Sequence, residues 1–76
     1  MARSIDDVEM VPCISSNIAQ VGYSEEDNTL FVEVTSGGVY QYSGVDLQTY
    51  ENLRDAGSVG GYFARSIRGS YPSRRV

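Results

Sequence analysis

The chain has 76 residues, a net charge of −4, one cysteine and no histidine. That is enough for one domain with a thin core, since a chain this short buries only about 60% of its unfolded surface. The lone Cys13 excludes an intrachain disulfide and a zinc cluster. The missing histidine removes the usual general base near neutral pH, and no run of about 18 apolar residues is present to span a bilayer.

Residues 1–10 read as a flexible, acidic lead-in without the apolar centre of a signal peptide, so the expectation is a cytoplasmic protein. Val11 to Ile14 reads as extended, because Pro12 disfavours helix in the residue before it. A polar knot, Ser15-Ser16-Asn17, leads into a strand over 18–23 with Ala19, Val21 and Tyr23 on one face. Ser24 to Thr29 is acidic and turn-forming. Leu30 to Val34 is the clearest strand, with Leu30, Val32 and Val34 on one face and Phe31 and Glu33 on the other. Ser36-Gly37-Gly38 signals a hairpin, and Val39 to Tyr42 is the return strand.

Asp46 is a good N-cap for a helix over 47–55, on which Leu47, Tyr50 and Leu53 form the expected core stripe. Gly57 suits its end. Ser58 caps a second helix running to about Arg68, with Val59, Phe63 and Ile67 inward and Arg65 and Arg68 exposed. Cys13 reads as core filler, and Glu25-Glu26-Asp27, Glu51 and Asp55 read as solvated surface. The expected fold is α+β: a three-stranded antiparallel β-meander with two short C-terminal helices packed on one face. Residues 11–71 make a single domain, and 72–76 a basic tail.

Charge is segregated along this plan. Residues 60–76 hold four arginines and no acid, while residues 1–59 hold two arginines and all ten acids, so +4 stands against −8. Lysine is absent, and arginine is the better group for bidentate phosphate contact and for stacking. Three constellations follow. Tyr40 and Tyr42 share a strand face, either as a platform for stacked bases or as rings covering the sheet under the helices. The glycines that open the second helix, with Arg65 and Arg68, offer an anion seat or a plain interhelix turn. Arg74 and Arg75 either track a nucleic-acid backbone or dock on the acidic body.

In this order the residues resemble the KTSC domain, a short module found at the C-terminus of some lysyl-tRNA synthetases and as single-domain bacterial and phage proteins. The likeness covers about residues 11–71. It rests on Ser15-Ser16-Asn17-Ile18, Val21-Gly22-Tyr23, Leu30 to Val34, and Ser36-Gly37-Gly38-Val39-Tyr40-Gln41-Tyr42. It continues through Gly44-Val45, Thr49-Tyr50-Glu51, Ser58-Val59-Gly60-Gly61-Tyr62-Phe63 and Ile67-Arg68-Gly69. The chain departs from the pattern at Gly61, where a basic residue is usual, and at Ala64, where asparagine is. The resemblance implies a cytosolic binding module without catalytic residues, and suggests RNA.

The functional expectation is a non-catalytic module for RNA or a nucleotide-type anion. Its candidate ligand-binding residues are Ser16, Asn17, Tyr40, Tyr42, Tyr62, Arg65, Arg68, Tyr71, Arg74 and Arg75. The alternative is a phage- or bacteria-encoded interaction or counter-defence factor that binds a host protein or sequesters a nucleotide signal. No metal site, cofactor or membrane partner is expected, and the oligomeric state stays open.

Overall fold

The computed structural model describes residues 8–76. Strands β1 (Val11–Pro12), β2 (Ile18–Ser24), β3 (Thr29–Val34), β4 (Val39–Ser43) and β5 (Ser73–Arg75) form one antiparallel sheet in chain order. Between β4 and β5 the chain makes α1 (Leu47–Arg54) and α2 (Val59–Tyr62), and α2 continues as a π-helical turn over Phe63–Ile67. The expected meander of three strands is therefore the centre of a five-stranded sheet. The two added strands are edges. β1 has two residues, and β5 is exposed at all three, so neither carries the alternation that marks a half-buried strand.

The basic tail, expected to stand apart from the domain over 72–76, contributes β5. Val76 N–H donates to Val39 O at 2.8 Å and Ser43 N–H donates to Pro72 O at 3.0 Å, bracketing the β4–β5 ladder. The register carries single rows across the sheet. One row is Val21, Val32, Tyr40 and Arg75, and its neighbour is Gly22, Phe31, Gln41 and Arg74 on the opposite face.

The helices cover the first of these faces. Its core joins Val21, Leu30, Val32 and Tyr42 from the sheet to Tyr50, Leu53, Val59, Phe63 and Ile67 from the helices. In β2 the register slips, since Ile18 pairs with Val34 but Gln20 pairs with Glu33. The extra residue is Ala19. The bulge therefore turns Ile18, rather than Ala19, into the core beside Val21.

Asp46 caps α1 as expected, its Oδ1 accepting from Thr49 N–H at 2.9 Å. The expected stripe holds only at Tyr50 and Leu53, and Leu47 is 40% exposed. Residues spaced by three drift by about 60° per step around an α-helix, so three of them cannot share one contact face. The spacing of four in α2 drifts less, and Val59, Phe63 and Ile67 are all buried. Ser58 Oγ accepts from Gly61 N–H at 3.2 Å and starts that helix.

Phe31 faces away from the helices and is still buried. Residues 8–10 lie against the same face. A Cβ on Gly22, which lies beside Phe31 in the register, would sit 2.5 Å from Met10 Sδ and 2.7 Å from Val8 Cγ1. The N-terminal segment thus crosses the sheet at a residue with no side chain, and Val8 is buried there. The rest of the expected lead-in, residues 1–7, lies outside the described residues.

Candidate ligand cleft

The knot at 15–17 is tied by its own hydroxyl. Ser15 Oγ accepts from Asn17 N–H at 3.2 Å and from Ile18 N–H at 3.3 Å. It is then fastened to the β3–β4 hairpin. Thr35 N–H donates to Asn17 O at 3.0 Å, and Thr35 Oγ1 donates to Ser16 O at 2.8 Å. On the other side α2 closes on the knot through Gly60, where a Cβ would lie 2.9 Å from Ser15 Oγ and 3.7 Å from Asn17 Nδ2. Only glycine allows that approach without a shift.

These three pieces enclose a cleft of about 280 Å³ lined by Asn17, Ile18, Val34, Thr35, Ser36, Gly60, Phe63, Ala64 and Arg68. Its floor is apolar and its rim polar, the pattern of small-ligand sites, and its size is just below their usual ~300–1,000 Å³. Arg68 enters it because the π-helical turn ends there. Arg68 N–H donates to Phe63 O at 2.9 Å, and the backbone then goes extended (φ −63°, ψ 121°) and turns at Gly69 (φ 85°). The guanidinium is exposed, with no ion pair or hydrogen bond among the described residues.

The candidate residues divide. Asn17 and Arg68 line the cleft, and Ser16 is bonded to its hairpin wall. Arg75 reaches the far side of the same hairpin, its guanidinium lying against Gly38, where a Cβ would meet its Nε at 3.1 Å. Arg65 is exposed beside Gly61, 3.9 Å from where a Cβ would stand there. Tyr40, Tyr62 and Tyr71 are half-buried against the core. Arg74 shares a row with Phe31 on the opposite face of the sheet.

Tyr42 is a correction. It is 6% exposed and meets Phe63 edge-on, ring centroids 5.5 Å apart and planes at 82°. The ring is part of the core, and burial raises its phenol pKa, against the pull of nearby Arg68. Of the two readings of the tyrosine pair, the helix-covered one describes Tyr42. Among the described residues the tail does not dock through its charges either. Neither Arg74 nor Arg75 makes an ion pair among the described residues, and the contact with the body is the β4–β5 ladder.

Sequence reasoning missed Thr35 and the apolar floor of Ile18, Val34 and Phe63, and it did not join the glycines of the second helix to the knot as one site. The available signal was the polar knot, since three small polar residues before a strand have backbone groups to satisfy. Cys13 is half-buried against the core, and burial raises its thiol pKa. Among the described residues no group of His, Cys, Asp or Glu is arranged to hold a metal ion, and no helix is long and apolar enough to cross a membrane.

The fold and cleft define a small α+β module that presents an arginine-edged cleft built from separated stretches of chain. The KTSC domain family model matches residues 14–71, and the chain belongs to that family. It is 30% identical to a KTSC domain protein of Yersinia pestis of known crystal structure, with a TM-score of 0.88 over 91% of this chain and 97% of that one. It is 37% identical to a lysine–tRNA ligase of Nostoc punctiforme over 73 residues, which is 92% of this chain and 13% of the enzyme. A lysine–tRNA ligase of Trichormus variabilis is 38% identical over the same length and the same 13% share. The chain thus spans a small part of these curated relatives. An uncharacterized protein of Stutzerimonas stutzeri is 37% identical over 49 residues, 64% of this chain and 69% of that protein. The family name states no reaction.

Proposed function

We propose that the chain is a non-catalytic binding module for single-stranded RNA or a nucleotide-type anionic ligand, seated in the cleft between the knot, the β3–β4 hairpin and α2. The observation that carries this reading is Arg68, an exposed guanidinium without an ion-pair partner among the described residues, at the edge of a cleft with an apolar floor. A phosphate pairs with such a group bidentately, and a flat base suits such a floor. Arg75 on the far side of the hairpin and Arg65 on α2 extend the positive surface. Two relatives are enzymes named for a tRNA, which favours RNA as the polyanion. Glu9, Glu25 and Glu51 line a separate cleft and disfavour a long duplex, so the ligand is short.

The test is fluorescence anisotropy with a short single-stranded RNA across a salt series. The expected result is saturable binding that weakens steeply with salt and is lost in Arg65→Ala/Arg68→Ala. Binding indifferent to salt, or unchanged in the double variant, overturns the reading.

A second reading, a protein-interaction factor, is favoured by one observation. Ile14 stands fully exposed beside an apolar groove that includes Pro12, Ala56 and Val59. Capture of a single protein without nucleic acid, lost in Ile14→Asp, supports that reading over the first.

A further inference from the structure

The cleft holds an uncharged polar side chain besides Arg68. Asn17 lines it with a carboxamide that makes no hydrogen bond among the described residues. The backbone around it is fixed from both sides: its N–H is taken by Ser15 Oγ and its C=O by Thr35 N–H. The next residue, Ile18, is completely buried. α2 passes close by at Gly60, where a Cβ would stand 3.7 Å from Asn17 Nδ2. The Asn17 side chain is exposed, so a fixed backbone presents its carboxamide to whatever enters the cleft.

We propose that Asn17 reads a nucleobase, and that the ligand of the cleft is an adenine nucleotide, free or within a single strand. This rests on the anion-binding reading above and names what its ligand must carry besides phosphate. A planar carboxamide offers one donor and one acceptor side by side. The N6/N7 edge of adenine presents the matching pair, whereas the corresponding edge of guanine presents two acceptors. The floor of Ile18, Val34 and Phe63 takes the ring, and Arg68 at the rim takes the phosphate. The volume of about 280 Å³ is enough for one base. Asn17 is thus a specificity residue, and Arg68 supplies charge.

The experiment is a titration of labelled, full-length protein followed by amide chemical shifts. Its probes are adenosine monophosphate, guanosine monophosphate, ribose phosphate and a short oligoadenylate, applied to wild type, Asn17→Ala and Asn17→Asp. Because the Asn17 side chain makes no bond within the described fold, both variants keep a dispersed native spectrum. The expected result is that wild type prefers adenosine monophosphate over guanosine monophosphate and ribose phosphate by about tenfold or more. Asn17→Ala erases that preference and leaves ribose phosphate binding as it was, and Asn17→Asp, which lacks the donor, erases it too. Tighter binding of the oligoadenylate than of the mononucleotide identifies the source as RNA, and the reverse identifies a free nucleotide. Equal wild-type affinity for all phosphates, unchanged by Asn17→Ala, overturns the inference and leaves anion binding standing. Failure of every probe overturns both.

Discussion

Tyr23 lies flat against Tyr50, ring centroids 5.2 Å apart and planes 13° apart. This contact joins the central sheet to α1. It is braced at both ends. The Tyr23 hydroxyl donates to Val45 O and lies 3.2 Å from Asn28 Oδ1, while the Arg54 guanidinium sits 5.6 Å from the Tyr50 ring centroid. Asn28 in turn holds the start of α1, since its C=O accepts from Val45 N–H at 2.9 Å.

The pair is expected to be coupled. Tyr23→Phe keeps the stack and loses the hydrogen bond to Val45, costing about 1 kcal/mol. Tyr50→Ala removes a largely buried ring and costs about 3–5 kcal/mol. A double-mutant cycle of Tyr23→Leu and Tyr50→Leu by urea denaturation should return a coupling of about 0.5–1.5 kcal/mol. A coupling near zero means that the rings only fill space.

Gly22→Ala tests how residues 8–10 sit on the sheet. The new methyl lies 2.5 Å from Met10 Sδ, which can swing away, but also 3.0 Å from Glu9 O, which is backbone and cannot. A loss of about 1–3 kcal/mol is expected. Amide exchange at Met10 and Phe31 should rise more than exchange at Leu53. Uniform acceleration across the chain would show that the segment is not a separate clasp.

The central strands and both helix starts were legible because each has a local cause. Alternation marks β3, glycines mark the hairpin, and Asp46 and Ser58 are caps whose acceptors meet Thr49 and Gly61. The edges were not legible. β5 looks like a tail because exposed Arg74 and Arg75 leave no alternation to read, and its order comes from pairing with β4. The Ala19 bulge and the π-helical turn are invisible locally, as each adjusts register to satisfy packing elsewhere. The cleft follows the same rule. Asn17 and Arg68 were legible as polar candidates, but Thr35 and Gly60 join them only through hydrogen bonds and close approach across the fold.

Acid stability should carry a signature of α1. Hydrogen bonds from Thr49 hold the Asp46 carboxyl below its ordinary value of 3.8. A depressed folded pKa stabilises the fold above the unfolded value, and that stabilisation is lost as pH falls through the folded value. Thermal unfolding from pH 5 down should therefore show Asp46→Asn, which keeps the acceptor, with a shallower acid limb than wild type. Superimposable limbs would show that the cap does not titrate with folding.

The alkaline side has the opposite sign. Burial raises the Tyr42 and Tyr50 phenols above their ordinary 10.0. A raised folded pKa means stability that is intact below the unfolded value and is lost as pH climbs through the folded one. Phenolate absorbance should rise later in the native chain than in urea, and Tyr42→Phe should remove one late proton. Native and denatured curves that coincide would contradict the burial of these hydroxyls.

Gly60→Ala sets two effects against each other. Replacing a helical glycine favours the helix by up to about 1 kcal/mol. The new methyl, however, lies 2.9 Å from Ser15 Oγ, and that oxygen already accepts from two backbone N–H groups. Rotating Ser15 away sacrifices both, at about 0.5–1.5 kcal/mol each. The clash should win, with a net loss of about 1 kcal/mol and shifted amides at Asn17 and Ile18. Gly57→Ala is the control, because nothing lies within 4 Å of its Cβ position. If Gly60→Ala instead stabilises the chain and leaves Asn17 unmoved, α2 is not wedged against the knot, and the wall that positions Asn17 beside Arg68 is lost with it.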